Sequence, residues 1–126
     1  LETGNRDYAS HVVKNGTDRF IFKTPLNPSG HEEFYKEYAV HGDGVKDVAF
    51  TVDDAAGIYK KAVDRGAVSV REPWELTDEN GTVLMATVKT YGDTTHTFVQ
   101  RTEYKGPFLP GFKEHYLTEP FNKLLP

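Results

Sequence analysis

The most regular pattern of hydrophobic and polar positions lies in the stretch HGDGVKDVAFTV, residues 41–52. From Val45 onward the side chains alternate with the period of two that is typical of a half-buried strand. Two sets of residues form its faces, Val48, Phe50 and Val52 on one and Asp47, Ala49 and Thr51 on the other. The pattern predicts a strand with one face in a core and the other lining a small polar space.

The period changes to that of a helix at Asp53, where DDAAGIYKKAVDRG carries apolar residues at helical spacing. An Asp at its start suits the N-cap, and Gly66 is placed to end the helix. Three further strands are predicted, over residues 67–71, 82–90 and 94–102. Glu72-Pro73 is expected to stop the first of them. The predicted order is therefore β-α-β-β-β.

Two shorter strands are predicted before this unit, over residues 9–13 and 19–23, with Asn15-Gly16 as the hairpin turn. They resemble the last strands of an earlier, similar unit, and a short amphipathic helix over residues 31–40 follows them. We therefore predict four parts. These are the last strands of a first unit (1–24), a linker with a short helix (25–44), a complete second unit (45–104) and a connector rich in Pro and Gly (105–126).

Composition narrows the function classes. A chain of 126 residues with 37% hydrophobic residues can bury one core, and a net charge of -4 without a basic cluster argues against nucleic-acid binding. The chain has no Cys and no apolar run near the roughly 18 residues of a membrane span. We expect a cytoplasmic protein. Because LETGNRDYAS has neither an initiator Met nor a signal-peptide core, we interpret the chain as part of a longer protein.

Four motifs carry a resemblance to a known family. They are HGDGVKDVAF, the REPW at residues 71–74, the TYGDTTHTFVQR at residues 90–101 and the GPFLPGF at residues 106–112. They closely resemble the N-terminal domain of the 4-hydroxyphenylpyruvate dioxygenase family. The resemblance covers nearly the whole chain.

This resemblance implies an α+β fold of the glyoxalase and extradiol dioxygenase type. Paired βαβββ units form an open barrel in that fold, and the first unit would be truncated at its N-terminus here. The parent enzyme is expected to convert 4-hydroxyphenylpyruvate and O2 to homogentisate and CO2 in tyrosine catabolism. Its Fe(II) is implied to lie in a C-terminal catalytic domain, held by two His and one Glu with open positions for the 2-oxo acid and O2.

The resemblance also points to two positions in this chain. In the family's catalytic unit, a GVxHxA-type strand supplies one His and a late strand ending in a VIQR-like sequence supplies the Glu; the matching residues here are Asp47 and Thr97. Asp lacks the softness of imidazole, and Thr offers a neutral hydroxyl in place of an anionic oxygen. We therefore expect degenerate ligand positions, no catalytic, cofactor-binding or metal-binding residue, and no activity from this chain alone. Asp47 is expected to be hydrogen-bonded to Thr or Lys neighbours.

The five His residues show no spacing typical of a shared metal site, neither His-x-His nor HExxH. They are His11, His31, His41, His96 and His115. His96 alternates with Thr97 and is therefore predicted to lie on the opposite face of its strand, packed or capping. His41 precedes Gly42-Asp43-Gly44 and is predicted to position the start of the following strand.

Two alternatives stay open. One is a metal-free, glyoxalase-like module that binds a small molecule, in which two chains complete each other's cup. The other is the N-terminal domain of hydroxymandelate synthase, which resembles this family. For the favoured hypothesis the expected partners are the C-terminal catalytic domain of the same protein and further copies in a homo-oligomer, with no nucleic acid and no membrane.

Overall fold

A computed structural model describes residues 6–27, 29–89 and 92–114, which form a mixed α+β structure. Its elements are β1 (Tyr8–Asn15), β2 (Asp18–Pro25), α1 (Glu32–His41), β3 (Asp47–Thr51), α2 (Ala55–Asp64), β4 (Val68–Asp78), β5 (Gly81–Lys89) and β6 (Thr95–Tyr104). The predicted β-α-β-β-β order from β3 to β6 is confirmed. Three predicted features lie outside the described residues. They are the end of a strand at Thr90, the position of His115 and the connector beyond residue 114.

Strands β1 and β2 form an antiparallel hairpin, as predicted, and both are longer than the predicted segments. Asn15 pairs with Asp18 across the turn, so Gly16 is the first of two central residues. Its φ of 59° lies in the left-handed region that favours glycine. The Asn15-Gly16 signal therefore placed the hairpin correctly.

The remaining strands form a four-stranded sheet in the order β3-β6-β5-β4. Strand β3 pairs in parallel with β6, whereas β6, β5 and β4 pair antiparallel. A parallel neighbour needs a long crossover connection, and helix α2 with the two strands after it supplies that connection. The first and last strands of the unit therefore lie side by side, and β3 and β4 are the edge strands.

Helix α2 begins and ends where its sequence signals predicted. The Asp54 carboxylate accepts a hydrogen bond from the Gly57 backbone N–H at 2.9 Å, which caps the first turn. Gly66, with φ 102°, follows the C-cap residue Arg65. The helix packs against strands β4, β5 and β6 and buries Ala55 completely.

The prediction that Glu72-Pro73 stops the strand after α2 is wrong, because β4 continues to Asp78. Its register with β5 shifts twice, between Ser69 and Arg71 and again between Arg71 and Trp74. Pro73 lies in the second irregular stretch of an edge strand, where it needs no hydrogen-bond donor for the ladder. The proline therefore interrupts the regular pairing of the strand without ending it.

Helix α1 lies one residue later than predicted and has no buried residue. Its last residue is tied to the turn before β6, because His41 Nε2 lies 2.8 Å from an Asp93 carboxylate oxygen. Asp93 also lies 3.4 Å from Lys89 Nζ. In the part of the chain that the structure describes, both helices have 10 residues, and neither is long and apolar enough to cross a bilayer.

Asp78, at the end of β4, anchors the segment that follows β6. One carboxylate oxygen accepts a hydrogen bond from the Asn80 N–H at 2.7 Å, and the other accepts from the Tyr104 hydroxyl and the Gly111 N–H. Burial raises the pKa of Asp78, but these hydrogen bonds outweigh it and the net pKa is lowered. Burial and the bond to Asp78 raise the pKa of Tyr104, so a neutral phenol donates to a carboxylate.

We predict that Asp78→Asn lowers the thermal midpoint at pH 7 by loosening residues 105–111. A depressed folded-state pKa contributes stability that is present above the unfolded pKa and is lost as pH falls through the folded value. The difference in thermal midpoint between the unaltered chain and Asp78→Asn should therefore be constant from neutral pH down to about pH 5 and shrink below about pH 4. Circular dichroism melts from pH 3 to pH 7 measure it. Asp43→Asn, at an exposed carboxylate, is the control, and an equal effect there contradicts the anchoring role.

Candidate functional site

The two faces of the four-stranded sheet differ in what covers them. Helix α2 lies on one face, where the Gln100 side chain accepts from the Ala55 N–H at 3.0 Å and Tyr59 bonds to Ser69 at 2.6 Å. The opposite face, which we call the cup face, carries the odd-numbered residues from Asp47 to Thr51, from Thr95 to Val99 and from Val83 to Lys89. Both predicted ligand positions therefore lie on the cup face.

Asp47 and Thr97 meet directly on this face. The Asp47 Oδ1 atom accepts from the Thr97 hydroxyl at 2.9 Å and from the Thr95 hydroxyl at 2.5 Å. Thr97 is in turn 2.9 Å from the Thr87 hydroxyl on β5. This agrees with the expectation that Asp47 is hydrogen-bonded to threonine neighbours, and the bonds join three adjacent strands.

The direction of these hydrogen bonds follows from the number of protons. A hydroxyl has a single hydrogen, and the Thr97 hydroxyl donates its one hydrogen bond to the Asp47 carboxylate. Thr87 must therefore be the donor in its bond to Thr97. Both threonines are buried, at 8% and 7% exposure, so their hydroxyl groups depend on this chain of bonds for partners. The network stabilises the sheet from β5 through β6 to β3.

The residues present do not fit a ferrous site. The Thr97 hydroxyl donates a hydrogen bond to the Asp47 carboxylate, and neither side chain is an imidazole. No group of three or more His, Asp or Glu residues among the described ones is arranged to hold a metal ion. A single carboxylate with neutral hydroxyl neighbours is a poor ligand set for Fe(II), which favours His and carboxylate together.

The histidines within the described ranges lie apart from this network. His96 is on the α2 side of the sheet, as predicted; its ring lies 5.3 Å from that of Phe50 and its Nδ1 is 3.2 Å from the Val48 carbonyl oxygen. His31 packs against the Tyr8 ring at 4.6 Å. His41 bonds to Asp93, which ties it to the turn before β6 and not to a ligand.

The end of the cup face nearest residues 105–112 is filled by the chain's own side chains. Val83, Val99 and Tyr104 form a buried cluster, and Met85 and Leu109 pack against it. Val83 is completely buried. Leu109 of the connector after β6 therefore packs against this end of the cup face.

Three residues of this region were not singled out from the sequence. Thr87 and Thr95 complete the Asp47 network, and the only signal for them is the alternation of their strands. Arg101 is the third; its Nε atom is buried and has no partner among the described residues. Local periodicity shows which face a residue lies on, but it does not show which residues of another strand it meets.

We predict that Thr97→Val destabilises the chain by about 2 kcal/mol, because it removes a bond to a carboxylate and leaves the buried Thr87 hydroxyl without an acceptor. Urea unfolding measures this cost. Thr51→Val makes the same change at an exposed position of the cup face and should cost little. In Thr87→Val/Thr97→Val, the costs should be less than additive. Fully additive costs would contradict a hydrogen bond between these two hydroxyls.

No family model matches the chain. Individual relatives do match the chain. The chain is 50% identical over 127 residues to the 4-hydroxyphenylpyruvate dioxygenase of Xenopus tropicalis and 48% identical over 129 residues to that of Tetrahymena thermophila. Both comparisons cover 100% of this chain and 32% of the relative, so the chain spans about a third of the length of these proteins.

Among solved structures, a mutant of 4-hydroxymandelate synthase from Streptomyces coelicolor superposes with a TM-score of 0.70 at 28% identity, covering 86% of this chain and 29% of that one. The likeness agrees with the predicted glyoxalase and extradiol dioxygenase type of fold. Over its whole length, and with about half of its residues identical, the chain is similar to about a third of these 4-hydroxyphenylpyruvate dioxygenases.

Proposed function

We propose that this chain is the non-catalytic N-terminal domain of a 4-hydroxyphenylpyruvate dioxygenase. The observation that carries the proposal is the Asp47 network, which occupies the positions where the resemblance places iron ligands. Its side chains bond to one another and leave no imidazole or second carboxylate for a metal. The domain's role is then structural: it supports the rest of the enzyme and contributes to its assembly.

The parent enzyme in this proposal converts 4-hydroxyphenylpyruvate and O2 to homogentisate and CO2. Fe(II), bound by residues outside this chain, would supply the oxygen chemistry. The partners are a C-terminal catalytic domain of the same protein and further copies in a homo-oligomer, and the location is the cytoplasm. The 50% identity to a dioxygenase of that name supports the assignment.

Exposed apolar surface supports a larger assembly. On the edge strand β3, Val48 and Phe50 are 39% and 47% exposed, and the hairpin exposes Phe20 and Phe22 at 58% and 64%. Large exposed apolar patches are typical of surfaces that another protein surface covers. These residues are candidates for contact with the remainder of the parent protein.

Hydroxymandelate synthase is the second candidate parent, and the TM-score of 0.70 favours it. The identity of 28% to that structure is well below the 50% to the Xenopus dioxygenase, which supports the first assignment. Product analysis of the full-length protein with 4-hydroxyphenylpyruvate and O2 distinguishes the two. Homogentisate supports the dioxygenase, and 4-hydroxymandelate supports the synthase.

A free-standing binding module is less well supported. Such a module needs open space on the cup face, whereas Val83 and Val99 there are buried against Met85 and Leu109. Side chains of the chain itself cover that end of the face.

We predict that the chain alone neither binds Fe(II) tightly nor turns over 4-hydroxyphenylpyruvate, because Asp47 and Thr97 are a poor ligand set. Anaerobic calorimetry with ferrous ion should detect no stoichiometric binding at micromolar concentration. Chromatography after incubation with substrate and O2 should detect no homogentisate.

Asp47→Ala is the matched control for this measurement. It should give the same calorimetric trace as the unaltered chain. Stoichiometric micromolar binding that Asp47→Ala abolishes would show a metal site on the cup face and overturn the proposal.

We also predict that the chain associates through the free edge of β3. The Val52 N–H donates to the Val99 carbonyl of β6, so in this parallel strand the N–H groups of the odd-numbered residues point outward. Ala49→Pro removes one outward donor without breaking the β3–β6 ladder and should reduce the association seen in sedimentation velocity. Val70→Pro, at an exposed and unpaired residue of β4, should leave it unchanged. A stable monomer of the unaltered chain at all concentrations is the opposing result.

A further inference from the structure

The chain contains the tripeptide Asn-Gly-Thr twice, at residues 15–17 and 80–82. Each copy lies at the turn of an antiparallel hairpin, the first between β1 and β2 and the second between β4 and β5. An Asn-Gly step is chemically labile, because glycine has no Cβ to hinder attack of its backbone nitrogen on the asparagine side chain. The same reactive sequence therefore occurs in two different structural settings.

The first Asn-Gly step is open to solvent. Asn15 and Gly16 are both exposed, and a Cβ added at Gly16 would meet no atom within 4 Å. Within the described ranges, neither the Asn15 side chain nor the Gly16 N–H makes a hydrogen bond. The hairpin forms a two-stranded sheet of its own, and such a sheet is only marginally stable in water. The turn is therefore free to reach the geometry that attack by the Gly16 nitrogen requires.

The second Asn-Gly step is held in place. The Asn80 N–H donates to Asp78 at 2.7 Å, and the Asn80 carbonyl accepts from the Lys105 N–H at 3.0 Å. Gly81 pairs with residues of both neighbouring strands inside the four-stranded sheet. A Cβ added at Gly81 would clash with the Glu103 carbonyl oxygen, so the backbone of β6 lies directly against this glycine. The rotation that brings the Gly81 nitrogen to the Asn80 side chain would break these contacts.

We propose that Asn15 is a site of spontaneous deamidation in the folded chain and that the fold protects Asn80. The Gly16 nitrogen loses its proton to hydroxide and forms a bond to the Asn15 Cγ. The bond from this carbon to the side-chain nitrogen breaks, and that nitrogen takes a proton from water and leaves as ammonia. Water then opens the resulting succinimide ring. Cleavage of the Cγ–N bond gives aspartate, and cleavage at the backbone carbonyl gives isoaspartate.

Either product changes the hairpin. Both add a carboxylate at residue 15, directly across the turn from Asp18. Like charges opposite each other destabilise a strand pair. Isoaspartate also adds a carbon to the backbone path, which disturbs the register that the two-residue turn sets. Deamidation should therefore loosen the pairing of β1 with β2. The site does not depend on the proposed role in the dioxygenase.

Peptide mapping by mass spectrometry tests the proposal in the 126-residue chain. The folded chain is incubated at mildly alkaline pH. Digestion with trypsin at mildly acidic pH then releases residues 15–19 and 72–89, each with a single Asn. The mass gain of the amide-to-acid change should appear at Asn15 at least about tenfold faster than at Asn80, because opening of the second turn breaks two hydrogen bonds. In concentrated urea the two rates should become similar, since both sites share the Asn-Gly-Thr sequence.

Three results in the folded chain would overturn the proposal: equal rates at the two sites, a faster reaction at Asn80, or no reaction at Asn15. A difference in rate that persists unchanged in urea would overturn it as well, because neighbouring residues and not the fold would then cause the difference.

Two substitutions sharpen the test. Asp78→Ala removes the acceptor of the Asn80 N–H and should raise the rate at Asn80 about fivefold, the factor that one hydrogen bond is typically worth. The rate at Asn15 should stay the same. Asp43→Ala, at an exposed carboxylate outside both turns, is the matched control and should change neither rate. Equal rates at Asn80 in Asp78→Ala and Asp43→Ala would contradict protection by the turn.

Discussion

Parallel pairing between β3 and β6, the first and last strands of the unit, is the contact on which the other features depend. Two parallel neighbours cannot be joined by a tight turn, and helix α2 with strands β4 and β5 forms the long connection between them. The pairing brings residue 47 beside residues 95 and 97 on one face of the sheet. It also leaves β3 and β4 as edges, and only β4 is irregular, with two register shifts.

The same pairing determines which side chains are adjacent on the cup face. In a unit that binds metal, the adjacent first and last strands would present their ligands side by side. Here the adjacent side chains are a carboxylate and two hydroxyls, and they bond to one another. The geometry that would assemble a metal site instead links three strands through polar side chains. One fold can therefore present different side chains at the same positions.

The connector is the second determinant of this molecule. The Gly111 N–H donates a hydrogen bond to Asp78, and Leu109 packs against the buried cluster. The Gly106 carbonyl accepts a hydrogen bond from Arg101. The connector thus covers one end of the cup face. Residues 83 and 109, far apart in sequence, become parts of one small core. This end of the sheet is therefore more buried than the exposed edge strand β3.

The sequence by itself determined the order of the elements and the ends of α2, because alternation, the Asp54 cap and Gly66 act within a few residues. It did not reveal that β4 passes Pro73, since an edge strand tolerates a missing donor and only the sheet order shows which strands are edges. Tertiary structure alone placed Thr87 beside Thr97 and Leu109 against the buried cluster. Those contacts depend on strand register and on chain reversals over many residues, which local periodicity does not specify.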